Sequence, residues 1–432
     1  MPRVFERLIC ILCSFYTFSS FSQSDQIKEF TRTLCSKDFH GRGYVNGGDS
    51  IAADYIAKSF KKIGLKSLGK SYFQAFEFPV QTFPGACTAI LGDDTLKPGI
   101  DYLIAPNSGS SCATSECVEG KSYRIVTCNL EKLYTSTSSF YPCPQNVMLA
   151  VRTFGLSSDS LKIINNRLRE LSSFAPVIEI TKGKFTWSVS QSTNSYPFIQ
   201  IQDSIFQKRK GDSVFLHLQT KFIKQHYARN VIGYLPACKK PKKKPFVFIT
   251  AHYDHLGRMG SATYFPGAND NASGNAMLLA LAEKMVKKPL SDYNIVFVAF
   301  AGEEVGLLGS KFMTENPIVP LKKIRFLLNL DIMGSGEEGI TVVNSTLFKK
   351  EFDQLNAIND SSKFVTLIKP RGPAANSDHY FFTEAGVPAF FIYTMGPNKN
   401  YHDVFDTYDA LSFKAFDGLS ELFERFIRKL ED

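Results

Sequence analysis

Histidines and carboxylates gather in six short stretches of this sequence. They are AHYDHLG at 251–257, PGANDNASG at 266–274, AGEEVGLLGS at 301–310, NLDIMG at 329–334, SDH at 377–379 and YHDVFDT at 401–407. Imidazole nitrogen and carboxylate oxygen are the donors preferred by zinc and other borderline divalent cations. Taken singly, each stretch has a plainer reading: His252 as a half-buried imidazole, Glu303 and Glu304 as a solvated helix start, Asp270 as a turn or cap residue. Taken together they do not, because ionised carboxylates collected at an apolar edge repel one another unless a cation compensates them. The neighbours Glu303 and Glu304 also allow divided work, in which one carboxylate binds metal and the other moves a proton from an activated water.

The elements that must hold these residues are legible as apolar runs. Phe246 to Thr250, Asn294 to Phe300, Ile324 to Leu330 and Ala389 to Tyr393 are continuous enough to be strands buried on both faces, and a helical pattern fills Gly274 to Lys288. Such alternation predicts an α/β fold, with a mostly parallel central sheet, helices on both faces and sites at the carboxyl ends of the strands. Ser50 to Ile63 is a further helix with one apolar face, ended by Gly64, and residues 70–90 alternate as an edge strand or hairpin would. From about 95 to 220 the character changes to short strands (Arg124 to Thr127, Val147 to Val151, Val177 to Ile180, Val214 to Gln219) and one helix near Ser158 to Leu171.

The ordered set of motifs closely resembles the M28 family of zinc-dependent exopeptidases, which includes bacterial secreted aminopeptidases, glutamate carboxypeptidases and glutaminyl cyclases. By that resemblance His252 and Asp331 hold one zinc ion, Glu304 and His402 hold a second, and Asp270 bridges the two. Co²⁺ or Mn²⁺ would suit the same ligands. Glu303 would be the general base and acid, Asp254 would orient the ring of His252, and Tyr401 matches a position that stabilises the oxyanion in some aminopeptidases. His255 reads as packing or hydrogen bonding around its loop. The resemblance also implies a split chain: a catalytic part at 25–95 and 226–432, and a small β-rich insert at 96–225 similar to a protease-associated domain.

The implied activity is removal of residues from peptides with a free N-terminus. Carboxypeptidase or dipeptidase action stays open, with Arg371 as the candidate clamp for a substrate carboxylate. Glutaminyl cyclisation fits less well with five ligands in place, and a metal-binding module without catalysis would not require Glu303.

Composition narrows the field further. The chain has 432 residues, 44% hydrophobic, which is enough for a large core and excludes collagen-like, coiled-coil and disordered classes. The net charge of +9 is partly local, because Lys239, Lys240, Lys242, Lys243 and Lys244 share one Pro-containing turn. Without basic and aromatic residues interleaved, that charge does not imply a nucleic-acid partner. At the N-terminus, Arg3 and Arg7, the apolar run Leu8 to Phe18 and a small polar exit resemble a cleaved export signal over residues 1–24, implying a secreted or periplasmic protein. No later run is long enough to span a membrane. In an oxidising compartment, the cysteines between 112 and 143 are expected to form one or two disulfides.

Overall fold

The computed structural model describes residues 23–111, 119–128, 130, 133 and 143–431. The expected export signal lies outside these, except for Gln23 and Ser24, which open a helix at Gln23–Leu34.

Eight strands form the sheet that carries the histidines and carboxylates. In chain order they are β1 (Phe73–Thr82), β2 (Lys221–Leu235), β3 (Phe246–His252), β4 (Asn294–Phe300), β5 (Ile324–Asp331), β6 (Gly339–Val343), β7 (Ile368–Arg371) and β8 (Ala389–Met395). Their spatial order is β1-β2-β4-β3-β5-β8-β6-β7. The four central strands β4, β3, β5 and β8 are parallel, as the apolar runs predict. The sheet as a whole is mixed rather than mostly parallel, because β2 runs against both β1 and β4, and β6 runs against β8. The reason at the first edge is topological. β1 and β2 flank the long excursion from 83 to 220, so the chain leaves and re-enters the sheet at one place, and the two strands pair like the arms of an extended hairpin.

Both faces of the centre are covered, which explains why these strands are apolar without alternation. Val247, Ile249, Ile295, Phe297 and Ala299 face one side, packed with the helices Gly48–Ile63, Gly274–Lys287 and Phe416–Lys429. Phe248, Val296, Val298 and Phe300 face the other, against Met313 of Leu308–Glu315 and Phe382 of His379–Glu384.

A second eight-stranded sheet spans residues 87–218, with Lys121–Thr127, Val147–Arg152, Val177–Thr181 and Phe198–Gln202 parallel at its centre. Its first strand, Cys87–Leu91, begins ahead of residue 96, where the change in composition puts the boundary. Its core takes in Leu256, Met259 and Phe265 from the loop that follows β3, so the second sheet is packed directly against a site-bearing loop.

The expected disulfides are not found among the described residues, where Cys35, Cys87, Cys143 and Cys238 are free thiols, and Cys112 and Cys117 lie outside those residues. Cys35 and Cys87 act as small apolar side chains: burial pushes their thiols up to about 11 and about 12 respectively, away from the reactive thiolate.

Candidate metal centre

Parallel strands deliver their last residues to one edge of the sheet, and the chemistry collects there. His252 ends β3, Asp331 ends β5, and β4 runs into the turn that carries Glu303 and Glu304. That turn is closed by Gly306 and Leu307, whose amides donate to the Glu303 carbonyl at 2.9 Å. Asp270 comes from the loop before the Gly274–Lys287 helix. Asn271 anchors that loop to the end of β5: its side-chain amide donates to the Leu330 carbonyl at 3.0 Å, and its Oδ1 accepts from the Ile332 amide at 3.2 Å.

Two imidazoles converge on Asp270. His252 Nε2 is 3.3 Å from Asp270 Oδ1 and 3.4 Å from Asp331 Oδ1, while His402 Nε2 is 3.0 Å from Asp270 Oδ2 and 3.1 Å from Glu304 Oε2. Donor atoms arranged tetrahedrally about zinc lie about 3.3 Å apart, given bonds of roughly 2.0–2.1 Å. Both rings are also held in a ligating orientation. His252 Nδ1–H donates to the Asp254 carbonyl at 3.1 Å and His402 Nδ1–H to the Trp187 carbonyl at 2.9 Å, which turns each Nε2 towards the carboxylates, where it can take a proton or a cation. His252, Asp270 and Glu304 each bring one donor atom within 4.8 Å of the others, as do His252, Glu303 and Asp331. The donor chemistry, spacing and ring orientations all fit a pair of divalent cations.

The electrostatics follow from burial and crowding. Burial opposes charge on His252, but Glu303 and Asp331 outweigh it and hold the imidazole well above its usual range. Burial likewise opposes charge on His402, and Glu304 with Asp270 raises that ring to about 11. Glu304, despite its burial, is lowered to about 2 by His402 and His255. Glu303 moves the other way: burial, reinforced by Glu304, Asp378 and Asp331, raises its carboxyl well above the usual range against the pull of His252. The adjacent pair thus splits into an ionised carboxylate and one that holds a proton readily.

Asp254 supports this arrangement differently from the expected role. The His252 ring meets its main-chain carbonyl, while the nearer carboxylate oxygen stands 4.0 Å from Nδ1. That carboxylate accepts from Tyr44 Oη at 2.6 Å and from the amides of Glu303 and Glu304 at 3.1 and 3.3 Å, so it fixes the acidic turn. Burial raises it to about 6 even with these donors and His252. His255 reaches Glu304 Oε1 at 2.7 Å through Nδ1. Ser377 Oγ donates to Asp331 Oδ2 at 3.4 Å. Tyr401 is about 45% exposed and stacks on the His402 ring at 3.9 Å.

His252, Asp270, Glu303, Asp331, Tyr401 and His402 border a cavity of about 170 Å³ whose walls also include Arg371, Phe391 and Tyr393, with Arg371 Nη1 donating to Tyr393 Oη at 3.1 Å. A larger cavity of about 460 Å³ between the Gln23–Leu34 and Gly274–Lys287 helices is lined by no histidine or aspartate, so size does not locate the chemistry.

Sequence reasoning missed Arg42 and Tyr44. Arg42 is fully buried and donates to the main-chain carbonyls of Leu34, Tyr253, Pro266, Gly267 and Asp270 at 2.6–3.2 Å, binding the loops of His252 and Asp270 into one unit. The available signal was the glycine pair around it. A Cβ on Gly41 would lie 2.5 Å from the Gly257 carbonyl oxygen and one on Gly43 only 2.4 Å from Gly257 Cα, so only glycines let this segment lie against the His252 loop.

Comparison with known proteins agrees with this geometry. Residues 230–427, just under half of the chain, match the model of peptidase family M28. Aminopeptidase YwaD of Bacillus subtilis is 36% identical over 182 residues, 39% of this chain and 36% of that protein. A probable leucine aminopeptidase of Arthroderma otae is 30% identical over 179 residues, 39% of this chain and 50% of that protein. The chain thus spans half or less of the length of these curated relatives. Among solved structures, a zinc aminopeptidase from Bacillus subtilis aligns over 95% of both chains with a TM-score of 0.68 at 20% identity. An aminopeptidase from Aneurinibacillus sp. strain AM-1 aligns over 93% of both with a TM-score of 0.63 at 21% identity. These two likenesses establish the fold across both sheets.

Proposed function

We propose that this chain is an exported, divalent-metal-dependent aminopeptidase that hydrolyses the first peptide bond of substrates with a free N-terminus. The observation that carries the reading is the convergence of His252 and His402 on the two oxygens of Asp270. His252 and Asp331 would hold one zinc ion, Glu304 and His402 the other, and Asp270 both. Zinc supplies Lewis acidity and a water of lowered pKa when bound.

The protein's own residues do the rest. Glu303, raised by burial, takes a proton from the attacking water and returns it to the departing amine. Asp254 keeps Glu303 and Glu304 aimed by accepting their amides. Tyr401, which lines the cavity, would donate to the developing oxyanion. Export is supported by Arg3, Arg7 and the apolar run Leu8 to Phe18, and the family relationship supports a peptide substrate.

A second reading, carboxypeptidase or dipeptidase action, is favoured by one feature, the Arg371 guanidinium on the cavity wall. A panel of free, N-blocked and C-blocked dipeptides, assayed with added zinc and with chelator, separates the two. Zinc-dependent cleavage of the free and C-blocked dipeptides, and not of the N-blocked ones, supports the aminopeptidase. Cleavage of N-blocked but not C-blocked dipeptides, or of the free dipeptides alone, transfers the reading to Arg371, and cleavage of none of the panel overturns both.

A further inference from the structure

Resting on the metal-centre reading above, we propose that residues 184–191, contributed by the polypeptide of the second sheet, are a positioning strap that sets His402 as a metal ligand. The contact at residue 187 is reciprocal. The Trp187 amide donates to the His402 carbonyl at 2.9 Å, and His402 Nδ1–H donates back to the Trp187 carbonyl at 2.9 Å. Both the backbone and the ring direction of His402 are therefore dictated from a point 215 residues away in sequence.

His402 needs such support because its φ of 53° is in the left-handed region, which costs a non-glycine residue about 1 kcal/mol or more. Within its own loop the neighbouring Asp403 carboxylate accepts from the Phe405 amide at 2.8 Å, and the strap reaches this group as well, through an ion pair between Lys184 Nζ and Asp403 Oδ2 at 2.6 Å. Asp403 is buried while Lys184 is partly exposed, so the pair closes over the turn from outside.

The strap is itself immobilised. Trp187 Nε1 donates to the Ile104 carbonyl at 2.7 Å, and the indole stacks on Phe265 at 4.5 Å. Farther along, the Gln81 amide donates to the Ser190 carbonyl at 2.8 Å, and Gln191 Nε2 donates to the Val305 carbonyl at 2.7 Å. One segment thus grips the 401–405 turn at one end and the 303–307 turn at the other, and these turns carry His402 and Glu304. The second sheet completes the ligand set by geometry, while none of the candidate ligands among the described residues comes from it.

Lys184 is the residue to test, because removing a partly exposed side chain leaves the cores intact. Zinc affinity is measured by competition with a chromophoric chelator for the full chain, K184M and K184R, alongside the visible spectrum of the Co²⁺-substituted proteins. In K184M one of two zinc sites is expected to weaken by about tenfold, as for the loss of an orienting partner, with the other unchanged. K184R is expected to restore it, and kcat lost at limiting zinc returns in excess zinc. Q191A, which releases the other end of the strap, is expected to weaken the same site. Two unaltered zinc affinities in both K184M and Q191A would overturn the strap while leaving the metal-centre reading intact. A wild-type chain that binds no zinc would overturn that reading and the strap with it.

Discussion

The Tyr44 hydroxyl donates to Asp254 Oδ2 across 2.6 Å, and the same carboxylate oxygen accepts the Glu304 amide, so a residue near the start of the chain sets the posture of the acidic turn. Tyr44 is held by neighbours rather than by solvent, with its ring edge-on to Phe78 at 5.4 Å and to His226 at 4.9 Å. Tyr44→Phe keeps this packing and removes the donor. It is expected to destabilise the protein by about 1–3 kcal/mol and to weaken zinc binding by about tenfold. Denaturant unfolding and chelator competition measure the two effects, and a Y44F chain matching the wild type in both would show that Asp254 does not depend on this bond.

Glu303→Gln preserves size and cavity lining but cannot carry a proton between water and amine. Peptide hydrolysis should fall by about 10²–10⁴-fold while zinc content stays at the wild-type level. Single-turnover assays on metal-analysed protein test this. Turnover within a few-fold of the wild type would remove Glu303 from the acid and base role.

Arg42 is a buried cation whose five partners are main-chain carbonyls in three different segments. A lysine keeps the charge but offers three donors from one nitrogen, which cannot span those segments. Arg42→Lys should cost about 3–5 kcal/mol, from the loss of at least two hydrogen bonds to a charged group at about 1.5–3 kcal/mol each, read from the denaturant midpoint. A loss under about 1 kcal/mol would mean the loops of His252 and Asp270 are held together by other contacts.

His379 supplies a pH dependence distinct from the metal chemistry. Burial lowers its folded pKa to about 4, against about 6.5 for an unfolded histidine. Protonation therefore favours the unfolded chain, and the stability linked to this group is fully present above about pH 6.5 and is lost as pH falls towards 4. At pH 4.5 the loss amounts to about 2–3 kcal/mol relative to pH 7.5. In His379→Gln that part of the acid sensitivity should vanish, so its unfolding free energy should change less than the wild type's between the two pH values. An equal change in both proteins would refute the assignment.

The parallel centre of the sheet was legible because β3, β4 and β5 are buried on both faces and must be apolar throughout, and because parallel strands deliver their last residues to one edge. From the sequence alone, that puts His252, Asp331 and the Glu303–Glu304 pair at one edge of the sheet. The antiparallel strands at the edges were not legible, since strand direction depends on where a long excursion returns and not on the composition of the strand.

The sequence by itself supplied histidines and carboxylates of the types that bind zinc, at the ends of apolar strands and in an order that resembles peptidase family M28. Only the tertiary structure decided how they are held. Hydrogen bonds between residues far apart in the chain leave no periodicity or composition to read, so the Arg42 contacts, the Tyr44 bond to Asp254 and the Trp187 grip on His402 emerge only when the distant segments pack. Local chemistry names the candidate ligands, whereas their orientation, spacing and charge are properties of the packed core around them.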